Sequence, residues 1–387
     1  MDTRTRWAVL FSVWYAFVAY AFVFQEVPPL IDALMMQFSI ASAAEAGLLM
    51  TIVVIPGIFL ALPAGLIADK YGVKLVGVVS IALVALGSIV SATAGSFATL
   101  LFGRLILGIG AVFIVTSLPV LVPQWFSRGE LGKAMGFYSI DMPVATILAF
   151  ATASLLLVSS GDWRSPFLVG TLLAGTAIVV FILFVREGPF QKSRNDKKVP
   201  WKKAFSNLEL WKTGLVWLIF QVTALSFLSW APKLFHDFKG LDLVYASTLA
   251  STLMLAAIPF VPLFGLFSDK VRRRKPFLVV GPLLMALALI GSAYTTGASL
   301  VASVAFLGVA AAMVPPIVTL LPAELLESDV VGLGFGIISL CLNIGGALAA
   351  PLFGLFLDTT GSMEFSFLGI AAFSIVGGLV ALTLKTK

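Results

Sequence analysis

Charge is the scarcest property of this chain. Asp, Glu, Lys and Arg make up 11% of its residues, 60% are hydrophobic, and mean hydropathy is +1.06. A soluble domain of 387 residues could not present so little charge to water, so the medium must be lipid. Cysteine is reduced to Cys341, inside an apolar run, which excludes a disulfide framework and a thiolate metal site. A single histidine, His236, leaves no cluster for zinc. No Gly-x-x-x-x-Gly-Lys-Ser/Thr occurs, so the chain carries no P-loop of its own. There is no nucleophile–base constellation and no large soluble domain, so neither an enzyme nor a signalling receptor is expected, and no cofactor is implied. A cleavable leader is not expected either, because the apolar run after Met1–Arg6 is too long for one. The net charge of +6 does not read as a nucleic-acid face, since the basic residues fall in short gaps between apolar runs.

What is present is a set of twelve such runs: 7–36, 43–68, 74–94, 97–123, 131–159, 164–185, 212–235, 244–267, 276–296, 299–323, 331–357 and 363–384. A spanning helix needs about 20 apolar residues, and lipid leaves no partner for an unpaired backbone group, so each run is expected to be a transmembrane helix. With the N-terminus inside, all Lys and Arg except Arg104, Arg164, Lys233 and Lys239 fall on the inner side. That bias puts both termini in the cytoplasm of a multi-pass protein of the inner or plasma membrane. The chain divides into residues 1–186, a polar cytoplasmic linker 187–211, and residues 212–387. The expected fold class is all-α, twelve spans in two six-helix bundles.

The two halves repeat. Gly65-Leu66-Ile67-Ala68-Asp69-Lys70-Tyr71-Gly72 returns as Gly265-Leu266-Phe267-Ser268-Asp269-Lys270-Val271-Arg272, both at the inner end of a span. At the same offset Gly108 matches Gly308, Ala111 matches Ala311, and Gly132, Gly136 and Ser139 match Gly332, Gly336 and Ser339. Two halves in one orientation imply a pseudo-twofold axis along the membrane normal.

On these residues the chain resembles the major facilitator superfamily over essentially its whole length. The resemblance rests on two sixes of spans, the Gly-x-x-x-Asp-Lys-x-Gly segment after span 2 and its degenerate copy after span 8. Arg104-Leu-Ile-Leu-Gly108-Ile-Gly110 in span 4 and Trp163-Arg164 before span 6 add to it. It implies a monomeric secondary transporter working by alternating access about a midplane site between spans 1, 4, 5, 7, 10 and 11. It also implies that the 65–75 segment braces the inner side. Asp69 would face a helix N-terminus of the other half, Gly65 would let spans 2 and 11 approach closely, and Lys70, Gly72, Asp269 and Arg273 would complete the gate.

The charges inside spans are the candidates for chemistry, since a charge at mid-bilayer costs roughly 2.5–3.5 kcal/mol on insertion scales. Glu26 in span 1 and Arg104 in span 4 sit at similar depth. Either they pair, or Arg104 anchors an anionic substrate, or Glu26 lies in outer-vestibule water beyond the Pro28-Pro29 break. Asp141 in span 5 suits a proton carrier; the alternative is a carboxyl tied to a neighbouring helix beside Pro143. Tyr20, Gln221 and Asn343 lie near mid-depth as substrate contacts or interhelical ties, and Tyr15, Trp230 and Ser339 are weaker candidates of the same kind. Pro56 and Pro63 in span 2 and Pro315-Pro316 in span 10 are expected to kink their helices. Span 5 lacks the Gly-Pro pair of the family's exporters. The leading expectation is therefore proton-coupled uptake of a small (organic) anion across the bilayer. The alternative is proton-driven efflux of drugs or amphiphilic compounds, with Glu26 and Asp141 as acidic cation sites.

Overall fold

A computed structural model describes residues 3–186, 205–327 and 331–385, and among these every regular element is helical. The first half comprises α1 (Thr3–Gln25), α2 (Ile31–Phe38), α3 (Ala43–Tyr71), α4 (Val73–Ala92), α5 (Phe97–Ser117), α6 (Leu121–Trp125), α7 (Arg128–Tyr138), α8 (Asp141–Ser160) and α9 (Arg164–Phe184). The second comprises α10 (Leu208–Asp237), α11 (Leu243–Val271), α12 (Lys275–Tyr294), α13 (Gly297–Ala311), α14 (Pro315–Leu325), α15 (Val331–Thr360) and α16 (Met363–Leu382). Of the linker expected at 187–211, residues 187–204 lie outside the described residues. Among the described residues, twelve helical segments are long and apolar enough to cross a membrane.

Several runs are broken where the sequence removes a backbone donor. The first run is not one helix: Pro28 and Pro29 end α1 at Gln25, and a 3-10 turn, Pro28–Leu30, leads into α2. Pro119 sits in a 3-10 turn, Leu118–Val120, between α5 and α6. Pro315-Pro316 opens α14 and so splits the tenth run rather than only kinking it. Pro56 and Pro63, by contrast, lie inside the continuous α3. The fifth run breaks at Ser139–Ile140, where Pro143 leaves the Ser139 carbonyl without its helical N–H donor, and Asp141 starts the new helix. Of the 65–75 segment after span 2, only Gly72 lies outside a helix. Asp69 and Lys70 are still in the last turn of α3, α4 starts at Val73, and Gly72 turns the chain at φ +86°, a conformation that favours glycine.

The described chain forms two compact units, Met1–Ile40 with Ile52–Asp196 and Ala41–Thr51 with Lys197–Lys387. α3 is therefore shared: its first nine residues pack within the second unit. Within the first unit, α4 lies against α5 and α9, and α1 against α8 and α9. Within the second, α12 lies against α13 and α16, and α10 against α15 and α16. These are the same pairings displaced by one repeat.

The repeat holds at the level of single contacts. A Cβ on Gly108 would lie 2.4 Å from the Val53 carbonyl oxygen, and one on Gly308 would lie 2.5 Å from that of Leu253. Both partners keep the same offset. Another pair is kept with its members exchanged: Gly103 packs on Ser91, whereas Ser303 packs on Gly291. Lipid offers apolar side chains the same contacts as protein does, so span association depends on such close approach rather than on exclusion from water. Gly108→Ala and Gly308→Ala should each lose about 1–3 kcal/mol to overpacking against backbone. Gly175→Ala, whose added Cβ meets nothing within 4 Å, should not. Fluorescence-detected thermal unfolding in detergent checks this, with lowered midpoints expected for the first two variants only.

Candidate functional site

The first unit gathers the intramembrane charges around the end of α1. The Phe24 carbonyl would accept its helical bond from the N–H of residue 28, and Pro28 has none. Arg104 of α5 fills the gap. Its Nη2 donates to the Phe24 carbonyl at 2.9 Å and its Nη1 to the Val23 carbonyl at 2.6 Å, with the residue 0% exposed. The guanidinium thus caps α1 at the negative end of its dipole, with its carbon 6.0 Å from the centre of the Phe24 ring. In this structure Arg104 is committed to a helix end.

Glu26 follows directly and is also 0% exposed, so it does not lie in vestibule water. Neither carboxylate oxygen has a hydrogen-bond partner. Glu26 and Arg104 lie within electrostatic reach of each other. The carboxylate points towards α4 and α9: a Cβ on Gly170 would sit 2.9 Å from Glu26 Oε2 and 3.3 Å from Ser88 Oγ. Gly170 makes room for this carboxylate. Beside it, Gln25 Nε2 donates to Thr146 Oγ1 at 3.3 Å, and Gln25 Oε1 has no partner.

A second group surrounds the break between α7 and α8. Asp141 is 5% exposed, and its Oδ1 accepts the Met142 N–H at 2.6 Å. Tyr20 on α1 is in electrostatic reach of both Arg104 and Asp141, and Tyr138 of both Asp141 and Tyr20. The buried Tyr138 hydroxyl and Trp14 Nε1 have no hydrogen-bond partner. Phe17 lies edge-on to both Tyr20 and Tyr138, and Trp14 lies 5.3 Å from Phe137. Four residues named from sequence, Tyr20, Glu26, Arg104 and Asp141, therefore share one neighbourhood, with Tyr20 in electrostatic reach of Arg104 and Asp141 and Arg104 in reach of Glu26. Trp14, Gln25, Tyr138 and Thr146 were not singled out as candidates. Their signal was proximity along the chain, Gln25 beside Glu26 and Tyr138 three residues before Asp141.

In the second unit Asn343 Nδ2 donates to the Ser339 carbonyl of its own helix at 2.8 Å. Gln221 is half-buried on α10, its Cβ beside Gly345. Trp230 is an interhelical tie, donating Nε1 to the Ala350 carbonyl at 2.9 Å. In the first unit Tyr15 ties α1 to α9 through Thr176 at 2.7 Å.

The expected gate residues divide. A Cβ on Gly65 meets nothing within 4 Å, so no close helix approach occurs there in this structure. Asp69 is exposed and makes no hydrogen bond or ion pair among the described residues, and Lys70 Nζ lies 5.0 Å from the centre of the Tyr71 ring. In the repeat copy Asp269 is paired, but with Arg274 at 2.8 Å. Arg274 also binds Glu324 at 2.9 Å and donates to Ser268 Oγ at 2.7 Å, while Arg273 is exposed. Arg274 rather than Arg273 is therefore the arginine of this cluster. The reason is position: Arg274 precedes α12 on the side facing α14, and Arg273 points to solvent. The first repeat has Lys74 and Gln124 at the corresponding places, and Lys74 turns to the Ile182 carbonyl at 3.1 Å.

A polytopic, all-helical membrane protein with two repeated bundles and charges buried inside its spans has the architecture of a secondary transporter. The family model for the Major Facilitator Superfamily matches residues 7–258 and 240–387, and the chain belongs to that family. Members of that family are transporters and not enzymes. This chain is 26% identical over 257 residues to the probable nitrate/nitrite transporter NarK2 of Mycobacterium tuberculosis (strain ATCC 25618 / H37Rv). That match covers 64% of this chain and 63% of the relative. It is 22% identical over 374 residues to the probable sulfoacetate transporter SauU of Cupriavidus necator, covering 88% of this chain and 85% of that one. The Escherichia coli 3-(3-hydroxy-phenyl)propionate transporter is 26% identical over 219 residues, 55% of this chain and 53% of the relative. Among solved structures, a bacterial homolog of the human lysosomal transporter Spinster, inward-facing and unoccupied, superposes with TM-score 0.83 at 15% identity. The match covers 99% of this chain and 98% of that one and shows the shared fold.

Removing Arg104 should act first on stability. Arg104→Leu leaves Glu26 buried without its counter-charge and the α1 carbonyls without donors, a loss of about 3–5 kcal/mol. Glu26→Gln should cost less, and the double variant should recover part of the loss. Thermal unfolding of the four proteins gives the coupling; additive effects would show that the two groups act independently.

Proposed function

We propose that this protein is a proton-coupled importer of small organic anions, working by alternating access, with Asp141 as the proton carrier. The observation behind this is one carboxyl, 5% exposed at a helix break, whose recorded hydrogen-bond partner is a backbone N–H and not a Lys or Arg. Such a group is free to take up and release a proton, whereas a carboxylate locked to a guanidinium is not. An anion approaching Tyr20 and Tyr138 meets the Asp141 charge unless Asp141 is protonated. Proton binding therefore favours anion binding, and the two travel together.

The named relatives carry anions: nitrate/nitrite, sulfoacetate and a hydroxyphenylpropionate. With Arg104 occupied by α1, the proposed recognition uses neutral donors, the Tyr20 and Tyr138 hydroxyls and the Trp14 N–H. The proposed setting is the cell membrane, with a monomer whose termini are both cytoplasmic, on the strength of the Lys/Arg bias between the spans.

Proteoliposomes loaded with a pH dye test this. Nitrate, sulfoacetate and 3-(3-hydroxyphenyl)propionate are offered in turn, and uptake of a carried anion should acidify the lumen. Asp141→Asn should lose pH-driven accumulation, by tenfold or more (about 1.4 kcal/mol per factor of ten), yet still exchange internal for external anion. Uptake without proton movement, or full accumulation by Asp141→Asn, would overturn the assignment.

A further inference from the structure

One face of α1 runs through Trp14, Val18, Ala21 and Gln25, at the spacing of a helical stripe. It packs on α8, where Val18 and Ala21 are buried against Ala145. Gln25 ends the face and is 0% exposed. Its Nε2 donates to Thr146 Oγ1 at 3.3 Å, and Thr146 Oγ1 donates to the Met142 carbonyl at 2.8 Å. A threonine hydroxyl has one proton. With that proton on the Met142 carbonyl, Thr146 can only accept from Gln25. The amide is therefore held with Nε2 on Thr146, and Oε1 is left as a buried acceptor without a donor.

The fold does not require this pair. At the 200-residue offset Leu225 stands for Gln25 and Gly346 for Thr146, so the second bundle has no polar side chain at either place. A buried acceptor without a donor is a standing cost to the folded state. The same neighbourhood carries the opposite deficit in the Tyr138 hydroxyl, a buried donor without an acceptor. A donor of that kind suits an anion. Oε1 does not, because its lone pairs would face the negative charge; it calls for an O–H or N–H. An ammonium is disfavoured by the Arg104 guanidinium, held on the carbonyls of Val23 and Phe24 just before Gln25. A neutral hydroxyl fits. Gln25 lies five residues beyond Tyr20, roughly 7.5 Å along the helix axis at 1.5 Å per residue. The group that serves Oε1 is thus several bonds away from the one that meets the tyrosines.

We propose that Gln25 reads a hydroxyl of the transported acid, and that the substrates are carboxylates bearing a hydroxyl several carbons from the acid group. The carboxylate meets the Tyr20 and Tyr138 hydroxyls, and the substrate hydroxyl donates to Gln25 Oε1. This rests on the organic-anion reading above. Oε1 is closed to solvent in this structure, so the hydroxyl reaches it during the rearrangement that alternating access entails.

The test uses the full chain in nanodiscs and two pairs of acids that differ by one hydroxyl. These are 3-(3-hydroxyphenyl)propionate with 3-phenylpropionate, and 6-hydroxyhexanoate with hexanoate. Isothermal titration against empty nanodiscs reads binding. In at least one pair the hydroxy acid should bind about tenfold tighter, the effect of leaving one buried acceptor unserved. Gln25→Met, close in volume and without that acceptor, should bring the members of the pair within about twofold. Gln25→Glu keeps an acceptor and should keep the preference, while its charge weakens both acids. Equal binding within both pairs by the parent, as expected if a resident water serves Oε1, overturns the assignment. So does a preference that survives in Gln25→Met, or no binding of either hydroxy acid. The proton assay is independent. Preference for the hydroxy acid in a protein that moves no protons keeps this assignment and rejects the coupling, and proton movement without preference does the reverse.

Discussion

Lipid cannot hydrogen-bond a backbone group, and much of this molecule answers that constraint. At two places where a proline frees a carbonyl inside a span, another helix supplies a side-chain donor. Arg104 serves the end of α1 that Pro28 leaves open, and Thr51 serves the carbonyl that Pro351 leaves open. Around the same proline, Ser226 and Trp230 bond the carbonyls of Ala349 and Ala350. The breaks are thus the points at which helices are tied together.

This view reassigns the buried arginine. A cation in the middle of a transport protein suggests an anion site, and here the guanidinium donates to two main-chain carbonyls beside the buried Glu26. The adjacent Asp141 lacks such a partner. The difference follows from their settings. Glu26 shares the end of α1 with a charge of opposite sign, whereas Asp141 begins a helix at a break and meets tyrosine hydroxyls instead.

The two repeats show which features the fold itself requires. Gly108 and Gly308 keep their partners, and the Ser–Gly pair is kept with its members exchanged, so close approach is demanded in both bundles. The departures carry individuality. Glu324 ties up Arg274 in one copy where Gln124 stands in the other, and among the described residues Asp69 makes no ion pair while Asp269 pairs with Arg274. The carboxyls at 26 and 141 have no charged counterpart in the second half.

The sequence by itself determined the medium, the twelve spans, the repeat and the family, because these depend on run length, composition and the spacing of glycines and charges. It also singled out Glu26, Arg104, Asp141 and Tyr20, because a charge or polar group in a long apolar run is conspicuous. Only the tertiary structure decided what each one faces. The break before Asp141 is marked only by Pro143, which lies inside the new helix, and Trp14 and Tyr138 read as ordinary packing aromatics until their unpaired donors are seen. The choice of Arg274 over Arg273 turns on one residue of helix phase, and the bond from Asp358 to the start of α3 joins positions some three hundred residues apart. Such contacts arise from the packing of helices whose faces no local pattern specifies, since in lipid apolar residues are found on every side.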